Sequence, residues 1–137
     1  QHSLFQFQKK NLKNHLKSNY LTMNILIIDD NPEITGLTKL LLEGNGHHVS
    51  TIETIEELKN EKEIQGYSLI FLDKSIKQIN LKTVQSMRPP NVKSPVIVAF
   101  TAQDNDNPDS HINEGFDDVL SKPFTPQDLY LLTKKYS

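Results

Sequence analysis

Apolar residues in this chain cluster in short unbroken runs, and each run stops at a residue that can do chemistry. Ile25–Ile28 runs straight into Asp29 and Asp30, Ser68–Leu72 into Asp73, and Val96–Phe100 into Thr101. A minimal run around Asp118–Leu120 leads to Lys122. Short apolar runs bounded by turn residues predict strands buried on both faces, as in a parallel sheet. A more polar strand is predicted at about His48–Ile52. Between the strands the spacing turns helical. Asn31 can cap and Pro32 can open a helix to about Glu43, with Ile34, Leu37, Leu40, Leu41 and Leu42 as its core stripe and Gly44 and Gly46 ending it. Thr54 and Glu57 have the spacing of a capping box, predicting a second helix to about Lys62. A weak helix is predicted at Leu81–Met87, closed by Pro89-Pro90, and a short one near Ser110–Glu114, stopped by Gly115. Thr125 caps the last, Pro126–Tyr136, with Leu129, Leu131 and Leu132 toward the core. Five such strand–helix units predict an α/β fold, a doubly wound five-stranded parallel sheet with helices on both faces.

Composition narrows the chemistry. The 137 residues contain no cysteine, which excludes disulfide frameworks, thiol catalysis and thiolate zinc sites. No apolar run approaches the ~20 residues of a membrane helix, and no secretion signal is present. A cytoplasmic location is the expectation. The net charge of −2 argues against a dedicated nucleic-acid binder. Residues 1–22 carry four lysines and no acid, whereas the remainder is acidic on balance. They are read as an N-terminal extension, a linker or a cloning remnant, with the folded domain at residues 23–137 and Met23 as a natural initiator. Leu12, Leu16 and Tyr20 offer only a thin helical stripe.

A parallel sheet brings the carboxyl ends of its strands to one edge, where ligands bind in open α/β folds. Asp29, Asp30, Asp73, Thr101 and Lys122 therefore share one predicted pocket. Singly, a strand-end Asp is more often a helix cap and a Lys a solvated surface group. Together they suit phosphoryl transfer: carboxylates for Mg²⁺, a carboxylate nucleophile, and an ammonium and a hydroxyl for the phosphoryl oxygens. Other readings fail. Asp104–Asp109 begins like a calcium loop but has Asp109 where glycine belongs and Gly115 where the bidentate Glu belongs. His47 and His48 are adjacent, so their rings should point to opposite strand faces.

Four stretches carry a specific resemblance: Ile-Ile-Asp-Asp-Asn-Pro at 27–32, Leu-Ile-Phe-Leu-Asp at 69–73, Val-Ala-Phe-Thr-Ala at 98–102 and Gly-Phe-Asp-Asp-Val-Leu-Ser-Lys-Pro-Phe at 115–124. In order and spacing, residues 23–137 resemble a response-regulator receiver domain, the CheY-like family of two-component and phosphorelay signalling. The resemblance implies a flavodoxin-like strand order, 2-1-3-4-5. It implies Asp73 as phospho-acceptor from a phosphohistidine on a histidine kinase or histidine phosphotransfer protein. It also implies Mg²⁺ on Asp30, Asp73, the Ser75 backbone carbonyl and, directly or through water, Asp29, which leaves the Ser75 side chain free to vary. Lys122 would pair with the phosphoryl group, Pro123 (often preceded by a cis bond in the family) would hold its loop, and Thr101 would be the switch hydroxyl, approached past the small Ala102. Such a domain is a signalling module rather than an enzyme acting on other substrates.

The chain departs from the family in two places. After the acceptor it reads Lys74-Ser75-Ile76-Lys77-Gln78-Ile79-Asn80-Leu81, without the usual Pro or Gly turn. Three before the lysine stands Val119, where the family commonly has a Tyr or Phe that rotates on activation, so any switch must be read out differently. Ser75 and Gln103 would line the path of attacking water. Two alternatives compete: a degenerate receiver that docks partners without phosphate, and a Mg²⁺-dependent aspartyl phosphohydrolase. The latter wants Asp-x-Asp after the first strand, where this chain has Asp29-Asp30-Asn31. No output domain follows the last helix, so the chain reads as a stand-alone receiver or the receiver of a hybrid histidine kinase. It would signal through protein contacts near Ser110–Glu114, the fifth strand and the last helix.

Overall fold

A computed structural model of the chain describes residues 22–58, 61–76, 81–89, 91–102 and 114–137. The N-terminal stretch, the loop Gln103–Asp109 with its calcium-like acids, and all of the predicted helix near Ser110–Glu114 except Glu114 lie outside the described residues. So do Lys77 and Gln103. Strands β1 (Asn24–Ile28), β2 (His48–Ile52), β3 (Leu69–Asp73), β4 (Val96–Thr101) and β5 (Asp118–Ser121) form one sheet in the order β2-β1-β3-β4-β5, every neighbouring pair parallel. The expected doubly wound, flavodoxin-like sheet is borne out. The helices are α1 (Pro32–Gly44), α2 (Glu61–Gln65), α3 (Leu81–Met87) and α4 (Pro126–Lys135), with a 3₁₀ turn at Ile55–Glu57.

Each central strand alternates its side chains between two separate cores. Ile25 and Ile27, Leu69 and Phe71, and Val98 and Phe100 pack with Leu42 of α1 and Leu129 of α4. Leu26 and Ile28, Ile70 and Leu72, and Ile97 and Ala99 pack on the opposite face with Ile64 of α2 and Val84 and Met87 of α3. All of these strand side chains are buried. At about 1.5–3 kcal/mol for each fully buried aliphatic side chain, β1, β3 and β4 are the firmest parts of the molecule.

The helices differ from expectation in instructive ways. The capping box of Thr54 and Glu57 is present, but it closes only the 3₁₀ turn. Leu58 is extended there, and α2 starts afresh at Glu61. In α1, Leu37 and Leu40 are exposed while Thr38 and Leu42 are buried. In α4, Leu131 is exposed while Leu129 and Thr133 are buried. Both buried threonines donate their hydroxyl to the carbonyl four residues back, Thr38 to Ile34 at 2.7 Å and Thr133 to Leu129 at 2.6 Å. Asn31 caps α1 through the amides of Glu33 and Ile34, and Thr125 caps α4 through that of Asp128. Among the described residues, no helix is long and apolar enough to cross a membrane.

The two histidines divide as the strand period requires. His48 is exposed, and His47 is buried just before β2, its Nδ1 accepting the Met23 amide at 3.0 Å. Burial, and then the neighbouring His48, lower the His47 pKa from its ordinary value of 6.5. The folded protein thus binds that proton less well than the unfolded chain. The stability this supplies is complete above the unfolded pKa and is lost as pH falls through the lower folded value. Urea midpoints should therefore drop between about pH 7.5 and about pH 5. His47→Gln, whose amide oxygen can still accept from Met23, should flatten that decline. An equally steep profile in the variant would assign the decline to other groups.

Candidate functional site

The site lies at the carboxyl edge of the three central strands, where the two cores end. β1 delivers Asp29 and Asp30, and β3 ends on Asp73 itself. Asp29 and Asp73 are buried and Asp30 is exposed. One carboxylate oxygen from each lies within 4.8 Å of the others. Two of these acids are held by the same local device. The Asn31 amide donates to Asp29 Oδ1 at 2.9 Å, and the Ser75 amide donates to Asp73 Oδ1 at 2.9 Å. In both, a carboxylate folds back onto the backbone two residues ahead, fixing its direction while the chain turns out of the strand.

Lys122 enters from beyond β5. Its amide donates to the Thr101 carbonyl at 2.7 Å, which joins the ends of β4 and β5. Its ammonium lies 2.7 Å from Asp29 Oδ2, 3.6 Å from Asp73 Oδ2, and 5.3 Å from the centre of the Phe100 ring. Phe100 stacks between Phe71 and Phe124, so the lysine rests against a rigid aromatic floor. The Lys122–Pro123 peptide is cis. Thr101 is buried at the end of β4 and Ala102 is exposed beside it. The structure thus gathers the strand-end acids around Lys122 and places Thr101 at the adjoining strand end.

Electrostatically the corner is acidic beyond what its lysine can balance. Burial pushes the Asp29 carboxyl above its ordinary value, and the charge on Asp73 adds to this. The Lys122 ammonium and the Asn31 amide pull it back without cancelling the rise. Three carboxylates of hard oxygen donors so close together match what a divalent cation of the Mg²⁺ class takes.

Ser75 does more than its sequence position suggests. Its hydroxyl lies 2.9 Å from both oxygens of Asp73, so with the Ser75 amide and Lys122 the carboxylate is contacted along its whole edge. The expectation of a ligating backbone carbonyl and a side chain beside the path of attacking water did not include that contact. The signal was available: a serine two residues after a strand-end Asp can reach back to it. Lys74 makes a 2.9 Å ion pair with Glu114, which nothing in the sequence pattern predicts.

Against known families, the profile described as the response regulator receiver domain matches residues 25–134. The chain belongs to that family. It is 28% identical over 109 residues to the nisin biosynthesis regulatory protein NisR of Lactococcus lactis subsp. lactis, covering 80% of this chain and 48% of the relative. It is also 28% identical over 123 residues to hybrid signal transduction histidine kinase C of Dictyostelium discoideum, covering 82% of this chain and 10% of that protein. The chain therefore spans about half the length of one and a tenth of the other. Among solved structures, a two-component response regulator from Clostridium difficile aligns with a TM-score of 0.71 at 28% identity, covering 84% of this chain and 95% of that one. The chemotaxis response regulator CheY4 of Vibrio cholerae aligns with a TM-score of 0.71 at 20% identity, covering 85% and 99%, a likeness of fold. Receiver domains of this kind occur both in response regulators and in hybrid kinases.

The Lys122–Asp29 pair compensates a buried charge in this receiver domain. Its two side chains are 14% and 0% exposed, so removing the ammonium strands a buried carboxylate beside two others. Lys122→Met should cost about 3 kcal/mol in urea unfolding. Adding Asp29→Asn should restore most of that loss. If the double variant is no more stable than the single, stranded charge is not the cause.

Proposed function

We propose that this receiver domain accepts a phosphoryl group on Asp73 from a phosphohistidine of a histidine kinase or histidine phosphotransfer protein. The observation that carries the proposal is the convergence on one carboxylate. Asp73 is buried and aimed by the Ser75 amide, with Lys122 3.6 Å away and two further acids within 4.8 Å. An Asp73 oxygen attacks phosphorus as the P–N bond breaks, the bond's electron pair returns to the imidazole nitrogen, and that nitrogen takes a proton from solvent and leaves with the partner. A Mg²⁺ held by Asp30, Asp73, the Ser75 carbonyl and Asp29, directly or through water, would neutralise charge on the phosphoryl oxygens. A solved receiver domain of the Pseudomonas aeruginosa sensor kinase PA1611, alike in fold, is described with a magnesium ion coordinated in its active-site cleft.

Lys122 has a second role in this reading. In the resting domain its ammonium balances Asp29 and stands within reach of Asp73, so it can turn to a phosphoryl oxygen without crossing the pocket. The Thr101 hydroxyl would supply the neutral donor on the side of β4. Ser75 must give way. Its hydroxyl now spans both Asp73 oxygens, one of which has to carry phosphorus. We further propose that residues 23–137 are the folded unit and residues 1–22 an appendage, and that the signal leaves through protein contacts.

Intact-mass analysis after incubation with acetyl phosphate or phosphoramidate and Mg²⁺ tests the reading. The wild type should gain one phosphoryl mass that requires Mg²⁺ and is absent from Asp73→Asn. Ser75→Ala should load faster, by up to about fivefold if the hydroxyl bond costs about 1 kcal/mol to break. If neither donor modifies the protein and beryllofluoride with Mg²⁺ does not bind, the phospho-acceptor reading falls and a phosphate-independent docking module stands in its place.

A further inference from the structure

The stretch Glu114–Asp117, which feeds into β5, is gripped from two sides by cations that both follow β3. Lys74, the residue next to the acceptor, pairs with Glu114 Oε1 at 2.9 Å across 40 positions of sequence, and its ammonium lies 6.0 Å from the centre of the Phe116 ring. Arg88, just past α3, donates to the Gly115 carbonyl at 3.2 Å and pairs with Asp117 Oδ1 at 2.8 Å. Asp117 is fixed further, its Oδ2 accepting the Ile97 amide at 2.8 Å. Phe116 is buried in the core on that face, and Val119 packs against the same core.

These two grips are not equivalent. Arg88 has no covalent or hydrogen-bonded tie to the acceptor among the described contacts, so it acts as a fixed anchor. Lys74 is tied to it: its amide donates to the Phe100 carbonyl at 3.0 Å, and its neighbours Asp73 and Ser75 are bonded to each other. Modifying Asp73 would displace the Ser75 hydroxyl and place a charge of roughly −2 one residue from Lys74. Either effect shifts the balance between that charge and Glu114 for the ammonium.

We propose that the Lys74–Glu114 ion pair couples the state of Asp73 to the entry of β5, taking the place of an aromatic rotor where this chain has Val119. This deepens the phospho-acceptor reading and rests on it. The pair is a contact that can be made or broken, the kind of element that can carry coupling. With the ammonium on Glu114, Glu114–Phe116 is clamped to the acceptor loop. With it withdrawn, that stretch loses its tie to the loop after β3 and keeps those to Arg88 and Ile97, so the entry of β5 is held less tightly.

Hydrogen–deuterium exchange on the full chain, with and without beryllofluoride and Mg²⁺, tests this. In the wild type, loading should change exchange both at residues 73–76 and at 114–121. In Lys74→Met, whose side chain still covers Phe116, and in Glu114→Gln, the change at 73–76 should persist while that at 114–121 shrinks by about fivefold. The exchanged pair, Lys74→Glu with Glu114→Lys, keeps an ion pair but sets a carboxylate beside the new charge, so the change at 114–121 should stay small, whereas a purely structural role for the pair would bring it back. A full response at 114–121 in both single variants overturns the proposal. No response at 73–76 in the wild type would instead overturn the phospho-acceptor reading beneath it.

Discussion

Repulsion among carboxylates is the constraint on which the rest of this structure turns. Asp29, Asp30 and Asp73 are brought within 4.8 Å of one another, two of them buried, with Lys122 as the cation pressed into the group. Nothing local makes that arrangement favourable. It holds because β1 and β3 are buried on both faces, so the acids at their ends cannot separate without pulling apart two cores. The Asn31 and Ser75 amides then fix the directions of Asp29 and Asp73, and the Phe71–Phe100–Phe124 stack fixes the floor beneath Lys122. Excess negative charge is thus kept ready for a cation, with the fold supplying the restoring force.

That division explains what could be read from sequence. Strands buried on both faces write themselves as uninterrupted apolar runs, so β1, β3 and β4 and the residues at their ends were legible to within a residue. Helix faces were not. Counting leucines placed Leu37, Leu40 and Leu131 inside and left Thr38 and Thr133 out, and all five assignments invert. A threonine that donates to the carbonyl four residues back has no unmet polar demand and presents a methyl group. It packs as a small apolar residue. Leucine, by contrast, tolerates exposure on a helix whose buried face is already filled. The break after Glu57 was illegible for another reason. A capping box announces where a helix starts and says nothing about whether it continues past Leu58.

The site's polar contacts were only half visible. Residue types at strand ends identified the acids, the lysine and the threonine, because topology alone brings such ends together. Contacts made by side chains leaving the turns depend on χ angles, which no spacing rule supplies. Ser75 reaching back to Asp73 and Lys74 reaching across to Glu114 are both of this kind. Both belong to the loop that lacks the family's Pro and Gly. Here side-chain bonds to Asp73 and to Glu114 hold the described part of it.

Those bonds matter because of what else holds β5. At its start, Asp118 accepts from the Tyr136 hydroxyl at 2.8 Å and from Lys135 at 3.0 Å. Burial alone would raise the Asp118 carboxyl, but bonds from Tyr136, the Val119 amide and Lys135 outweigh it and keep the group below its ordinary value. Asp117 is tied to Arg88 and Ile97, and at the far end the Lys122 amide is tied to Thr101. β5 is therefore pinned to α4, to the end of α3 and to β4 by contacts that do not involve Asp73. The Lys122 side chain and the Lys74–Glu114 pair are the described ties that run from the surroundings of Asp73 toward β5. One acts at the strand's end and the other before its start.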